Sequence, residues 1–236
     1  MKPRFLIVNA DDFGQSRGVN SGIIECFERS VVTSASLMVR WPAAEEAAVY
    51  ARRRRDLSVG LHVDLGEWIC RSGEWTLLYQ VVDTADPNQV REEVSRQLEA
   101  FMKLMRRPPS HIDSHQHAHR SEPVRSILRD AARRLGVPLR DNSGVRYEGS
   151  FYGQTADGAP LPDYISVDAL KGILRALPPG FTELGCHPAH DVDFETMYGK
   201  ERVQELEALC NSGVREYAAQ LQIQLRSFHE VSGTLQ

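Results

Sequence analysis

Phe5-Leu6-Ile7-Val8-Asn9-Ala10-Asp11-Asp12-Phe13-Gly14 carries a short apolar run straight into two adjacent carboxylates and a glycine. The run at 5–8 reads as a strand, and the segment behind it, 18–29, has helical period. The same unit recurs, with strand character at 34–39, helical period at 43–55 and a strand at 58–63, so the chain begins in βαβαβ order. A long helix is expected over 87–107, with Val90, Val94, Leu98, Phe101, Leu104 and Met105 on one stripe, stopped by Pro108-Pro109. Short strands follow at 111–114 and 137–140, flanking a helix at 123–135 that Gly136 closes. Residues 141–163, rich in Gly, Pro, Asp and Tyr, read as a long irregular loop of the kind that carries function. A helix at 166–177, a strand at 181–186, helices at 200–210 and 214–221 and a last strand at 222–228 complete the order. Repeated β-then-α order implies a mainly parallel sheet, either open and doubly wound or closed as a barrel. Polar clusters fall where strands end, as in barrels, which collect their active-site residues there. The expected fold is therefore α/β: a (β/α) barrel, distorted or incomplete and TIM-like, of about seven strands, in a single domain over residues 1–236.

Composition narrows the partners. The 236 residues hold 28 Lys+Arg against 32 Asp+Glu, a formal charge of −4, with 42% hydrophobic and 25% charged residues. This is globular rather than disordered composition, and the mild acidity argues against a partner held through phosphate charge, so no nucleic acid is expected. Cys26, Cys70, Cys186 and Cys210 are far apart and form no CxxC pair, which fits a reducing compartment. The apolar run at 5–8 is too short for a signal-peptide core or a span, so a cytoplasmic protein with no membrane association is expected. The arginine run at 52–55 reads as the solvated end of a helix.

Four clusters carry the chemistry. Asp11 and Asp12 follow the first strand; if the strand persists they point to opposite sides, so one can bind a cation while the other stays free as a base. Read alone, Asp-Asp-Phe-Gly is also an acceptable helix cap. The kinase Asp-Phe-Gly reading fails, because the glycine-rich and catalytic loops that must precede that motif are missing. His62 closes the third strand in Gly60-Leu61-His62. His111-Ile112-Asp113-Ser114-His115-Gln116-His117-Ala118-His119 holds four of the eight histidines within nine positions. Alternation puts His111, Asp113 and His115 on one strand face, but at roughly 3.3 Å per residue His111 and His115 lie about 13 Å apart and cannot share an ion. His115, nearest the strand end, is the economical ligand, with Asp113 behind it as an orienting group. Cys186-His187-Pro188 again ends a strand in histidine, whose ordinary pKa near 6.5 suits a general acid. Asp12, His62 and His115 together make a set of one carboxylate and two imidazoles with open positions, the arrangement a hydrolytic metal needs. Asp11 then stands beside it as base and His187 opposite as acid.

Taken in order, Asn-Ala-Asp-Asp-Phe-Gly, Val-Thr-Ser, Gly-Leu-His, His-Ile-Asp-Ser-His-Gln-His and Cys-His-Pro resemble the YdjC-like carbohydrate deacetylase family (the ChbG/HpnK group), from Leu6 to Phe228. The resemblance implies a (β/α) barrel that hydrolyses the acetamide of an N-acetylated sugar, mono- or oligosaccharide, to amine and acetate. Carried over, Asp12, His62 and His115 are the metal ligands, Asp11 the base and His187 the second catalytic group. The implied cofactor is one divalent ion, magnesium in similar proteins; two imidazoles and a carboxylate also suit zinc, manganese or cobalt. Asp113, His117, Arg140 and Tyr152 are expected to orient these groups or to contact substrate, with Tyr152, Trp68 or Trp75 able to stack on a sugar ring. This chain has His187-Pro188-Ala189 where many relatives have His-Pro-Gly. The expected partners are a small N-acetylated carbohydrate and, where the chain assembles, a second copy as a homodimer. Two rivals remain: a metal-dependent phosphoesterase, which needs a second metal and basic contacts such as Arg140 or Arg146, and a non-catalytic sugar-binding relative.

Overall fold

The computed structural model describes residues 2–71 and 73–231. In chain order the elements are β1 (Arg4–Phe13), α1 (Arg17–Arg29), β2 (Ser34–Leu37), α2 (Ala44–Arg53), β3 (Ser58–Val63), β4 (Gly66–Arg71), β5 (Glu74–Gln80), α3 (Pro87–Met105), β6 (Ile112–Ser114), α4 (Val124–Leu135), β7 (Arg146–Glu148), α5 (Val167–Ala176), β8 (Gly180–Cys186), α6 (Gly199–Leu209), α7 (Ser212–Gln220) and β9 (Ile223–Leu225). Seven strands form one curled, parallel sheet in the order β6-β3-β2-β1-β8-β7, with β9 joined to β1. The fold is an incomplete (β/α) barrel with helical crossovers. The edge of β1 is shared: β9 pairs with it over Arg4 to Leu6, and β2 takes over from Asn9.

Of the central strands, β2 and β3 are buried along their whole length and β1 from Leu6 onward, which is why they read as runs rather than as alternation. One apolar cluster, including Leu6, Val8, Phe13, Ile23, Leu37, Leu61, Phe101 and Leu184, fills the space between sheet and helices. Inside the curl, a small apolar cluster of Ile7, Val145, Phe228 and Val231 gives way to polar side chains. Asn9 donates to Ser36 at 2.8 Å, and Ser36 donates to Asp113 at 2.6 Å. The helices start where the sequence says they should: Ser16 caps α1 by accepting from Val19 N–H at 3.2 Å, and Asp86 caps α3 ahead of Pro87. Gly22 of α1 is needed for close approach, because a Cβ there would come within 2.6 Å of the Ala189 backbone in the loop after β8.

Three expectations change. The strand at 137–140 is reduced to a single bridge, Leu139 to Ile112. The irregular loop at 141–163 contains β7, whose three residues pair with β8. Residues 66–80, unassigned from sequence, form the antiparallel β4–β5 hairpin, set apart from the barrel sheet. Among the described residues no helix is long and apolar enough to cross a membrane.

Candidate active site

The floor of the site is made at the end of β1. Register to β2 runs Asn9 to Ser34 and Ala10 to Ala35, then jumps to Phe13 opposite Leu37, one extra residue on β1. Asp12 absorbs that bulge with φ of +67°, in the left-handed region that aspartate visits more readily than most residues. Alternation is broken here, so Asp11 and Asp12 do not diverge as expected: both line the same cavity, of about 450 Å³.

Asp12 Oδ1 lies 3.2 Å from His62 Nε2 and 3.1 Å from His115 Nδ1. The three donor atoms lie within 4.8 Å of one another, and all three residues are buried. Each imidazole has a second carboxylate on its far side: His62 Nδ1 is 2.8 Å from Asp113 Oδ1, and His115 Nε2 is 3.5 Å from Glu67 Oε2. The Asp113 hydrogen bond holds the His62 ring proton on Nδ1 and turns the Nε2 lone pair toward the centre, while the longer Glu67 contact favours a proton on the outer nitrogen of His115 through its charge. Two lone pairs and a carboxylate oxygen facing one point repel unless a cation or a proton lies between them. The donor set therefore fits a divalent metal, with nitrogen donors that suit zinc, manganese or cobalt better than magnesium. The electrostatics agree. Burial would push the Asp12 carboxyl up, but Arg202 and His115 hold it well below the usual range. Burial would push His62 down, yet Asp113 and Asp11 raise it to about 9; burial opposes the charge on His115 too, but Asp12 holds it well above its ordinary value.

Asp11 belongs to a second, adjoining network. Arg140, which follows the bridging Leu139, is 3% exposed and reaches three carboxylates: Asp11 Oδ2 at 2.7 Å, Asp113 Oδ2 at 2.8 Å and Glu183 Oε1 at 2.6 Å. Burial raises the Asp11 carboxyl, but Arg140 draws it below its ordinary value, so Asp11 is ionised at neutral pH. Glu183 behaves in the opposite way. Burial raises it from 4.5 to about 7, and Arg140 offsets only part of that. A carboxyl raised on folding contributes stability that is full below pH 4.5 and is lost as the pH rises through 7. Glu183→Gln is therefore expected to flatten the fall of stability across that window, becoming more stable than the parent above pH 7 by on the order of 2–3 kcal/mol. Urea unfolding of both proteins at pH 5 and pH 8 measures it; parallel pH profiles contradict it.

His187 closes the cavity from the end of β8. Its Nε2 stands 3.9 Å from Asp11 Oδ2, too far for a direct hydrogen bond, so the two groups flank a space. Behind it, Glu205 of α6 accepts from the His187 backbone N–H at 2.5 Å, lies 3.6 Å from Nδ1 and accepts from the Tyr198 hydroxyl at 2.6 Å. Tyr152 stacks on Tyr198 with centroids 4.5 Å apart and presents its ring edge to His187 at 5.8 Å. Ala189 is fully buried and packs beneath α1, where its backbone faces Gly22.

Of the residues singled out in the sequence, Asp11, Asp12, His62, His115, His117, Tyr152 and His187 all line the cavity, as does Trp75. Asp113 and Arg140 stand behind it as buried supports. Burial holds His117 down at about 3, so its ring is neutral. Trp68 lies in a neighbouring cavity, and its backbone is stapled to the side chain of Gln116 by hydrogen bonds of 2.7 and 2.9 Å. β6 ends at Ser114, so His115 stands in the turn beyond the strand; His111 stays inside the barrel, stacked on Phe228 at 3.8 Å. Sequence reading missed Glu67, Arg202 and Glu205. The last two offered a signal: charges three apart on α6, beside Leu206 and Leu209, on the face that the helix buries.

The chain is 33% identical over 250 residues to a carbohydrate deacetylase of Geobacillus stearothermophilus, covering 97% of this chain and 98% of that protein. It is 29% identical to a chitooligosaccharide deacetylase of Serratia marcescens, covering 97% and 99%. A crystal structure from Enterococcus faecalis, described provisionally as a cellobiose-phosphate cleavage protein, superposes with a TM-score of 0.73 at 25% identity, covering 97% of this chain and 98% of that one. The model of the YdjC-like protein family matches residues 5–220, nearly the whole described chain, and the chain belongs to that family.

Proposed function

We propose that the chain, acting as a single domain over residues 1–236, is a metal-dependent hydrolase that removes the acetyl group from an N-acetylated sugar. The observation that carries this reading is the convergence, in one cavity of about 450 Å³, of a three-donor metal set with an ionised carboxylate on one side and an imidazole on the other. The names of the curated relatives supply the substrate class. Asp12, His62 and His115 would hold the ion, which supplies Lewis acidity toward water and the acetyl carbonyl. Asp11, kept ionised by Arg140, accepts the proton of the attacking water. The water oxygen bonds to the acyl carbon, the carbonyl electron pair moves onto its oxygen, and on its return the carbon–nitrogen bond breaks. His187, held by Glu205, protonates the departing amine. The ring of Tyr152 gives a face for the sugar. A phosphoesterase is less well served. Arg140 is saturated by three carboxylates, Arg146 lines a different cavity, and the second donor group, Asp11, His62 and Asp113, has both carboxylates on the Arg140 guanidinium and shares His62 with the first.

Metal analysis of the purified protein, followed by acetate release from N-acetylated mono-, di- and oligosaccharides, tests this. We expect metal-dependent acetate release, lowered about 10²–10⁴-fold in kcat by His187→Ala. Phosphate release from an ester panel without acetate from any sugar would remove the proposal.

A further inference from the structure

Arg202 has no role in the reaction as set out so far, yet it is built into the cavity wall. It rises from the first half of α6, is 3% exposed and lines the cavity. Its Nη2 donates to Asp12 Oδ2 at 2.6 Å and reaches Gln15 Oε1 at 3.4 Å. Its Nε and Nη1 are buried without a hydrogen-bond partner. The other groups near it are the Glu67 and Glu205 carboxylates and the Phe194 ring, 5.8 Å from the guanidinium carbon. Neighbouring Asp12 and Glu205 favour the cationic form, so the guanidinium is always charged. A buried guanidinium with two donors unspent is costly unless an acceptor arrives. None of the neighbouring carboxylates supplies it: Asp12 is already served, Glu205 is committed to His187 and Tyr198, and Glu67 stands by His115 with no hydrogen bond to Arg202, its Oε2 itself unpartnered.

We propose that Arg202 is a catalytic residue whose free N–H donors bind the acetyl oxygen as negative charge develops on it, and then the carboxylate of the acetate product. The proposal rests on the deacetylase reading for its substrate. In its general form it is a site for a small carboxylate, and that form stands independently. Asp12 fixes the guanidinium beside the metal donors, so the cation is in place before the charge appears, which is the condition for electrostatic stabilisation of an oxyanion. Arginine suits the task better than lysine, because its planar fork can serve Asp12 and a second acceptor at once.

The test compares acetate with its neutral isostere acetamide by titration calorimetry, on protein saturated with zinc. In the unmodified chain acetate is expected to bind more tightly than acetamide. That preference should fall about tenfold or more in Arg202→Gln, and by a similar factor in Arg202→Lys, which keeps the charge beside Asp12 and loses the fork. A merely structural role would weaken both ligands alike and leave the ratio unchanged. A ratio within threefold of the parent in both variants overturns the proposal, as does an absence of acetate preference in the unmodified chain, a measurement that does not depend on how the variants fold. In acetate release, Arg202→Gln is expected to lower kcat about 10²–10³-fold with KM for the sugar within about threefold. If the acetate preference depends on Arg202 but no N-acetylated sugar is turned over, the carboxylate site stands and the deacetylase reading falls.

Discussion

Asp12→Ala is expected to abolish divalent-metal binding and to reduce acetate release by about 10³-fold or more, since Lewis-acid stabilisation is worth several kcal/mol and each 1.36 kcal/mol is tenfold in rate. The effect is large because one oxygen serves two imidazoles: Asp12 Oδ1 is the shared neighbour of His62 Nε2 and His115 Nδ1. Removing it deletes one donor and also the charge that helps hold both rings up, leaving burial to push them down. Arg202 loses its anion in the same step, placing a bare cation beside the remaining donors. Zinc titration calorimetry and acetate release on the same preparation check the prediction. Parent-like metal affinity with full turnover in Asp12→Ala refutes the ligand assignment. Glu67→Gln, which alters only the outer partner of His115, should weaken metal affinity more gently, by about 10–100-fold.

Arg140→Met is expected to cost on the order of 3–5 kcal/mol of stability, because it takes from the buried carboxylates of Asp11, Asp113 and Glu183 the guanidinium they share. The sign of its pH dependence follows. Arg140 now lowers all three carboxyls, so without it each is raised, and a raised carboxyl loses its stabilising contribution as pH climbs. The variant should be closest to the parent near pH 4–5 and fall furthest behind it above pH 7. Urea denaturation across that range measures the gap; a gap that is small or independent of pH contradicts a role for Arg140 as the common counter-charge. His62 offers an internal check, since Asp113 becomes a poorer partner for its Nδ1 and metal affinity should decline together with stability.

The architecture was legible where burial is uniform. β1, β2 and β3 are covered on both faces, so their apolar runs stand out without alternation, and Asp86-Pro87 and Ser16 mark helix starts by chemistry local to the chain. The β4–β5 hairpin was not legible, because β5 is largely exposed, Trp75 and Leu77 included, which erases the pattern that a half-buried strand would show. β7 is three residues long and exists only through pairing with β8. Among the site residues, those at strand ends announced themselves because histidine and aspartate are conspicuous after an apolar run. Glu67 and Arg202 are ordinary residues in a polar hairpin and on a helix, and become parts of the cavity only when β4 and α6 fold over the barrel mouth. Arg140 stands out in the sequence only as a basic residue, and its service to three carboxylates from three separate strands is a tertiary fact.

The extra residue in β1 has an evolutionary reading. Asp11 answers to Arg140 and Asp12 to Arg202, two cations on opposite sides of the mouth, and both pairings depend on the left-handed step at Asp12. Deleting a single codon between Asn9 and Gly14 would restore regular pleating and send one of the two carboxylates into the apolar layer under α1, dissolving both pairings in one event. Descendants of this chain should therefore keep the spacing between Val8 and Gly14 to the residue.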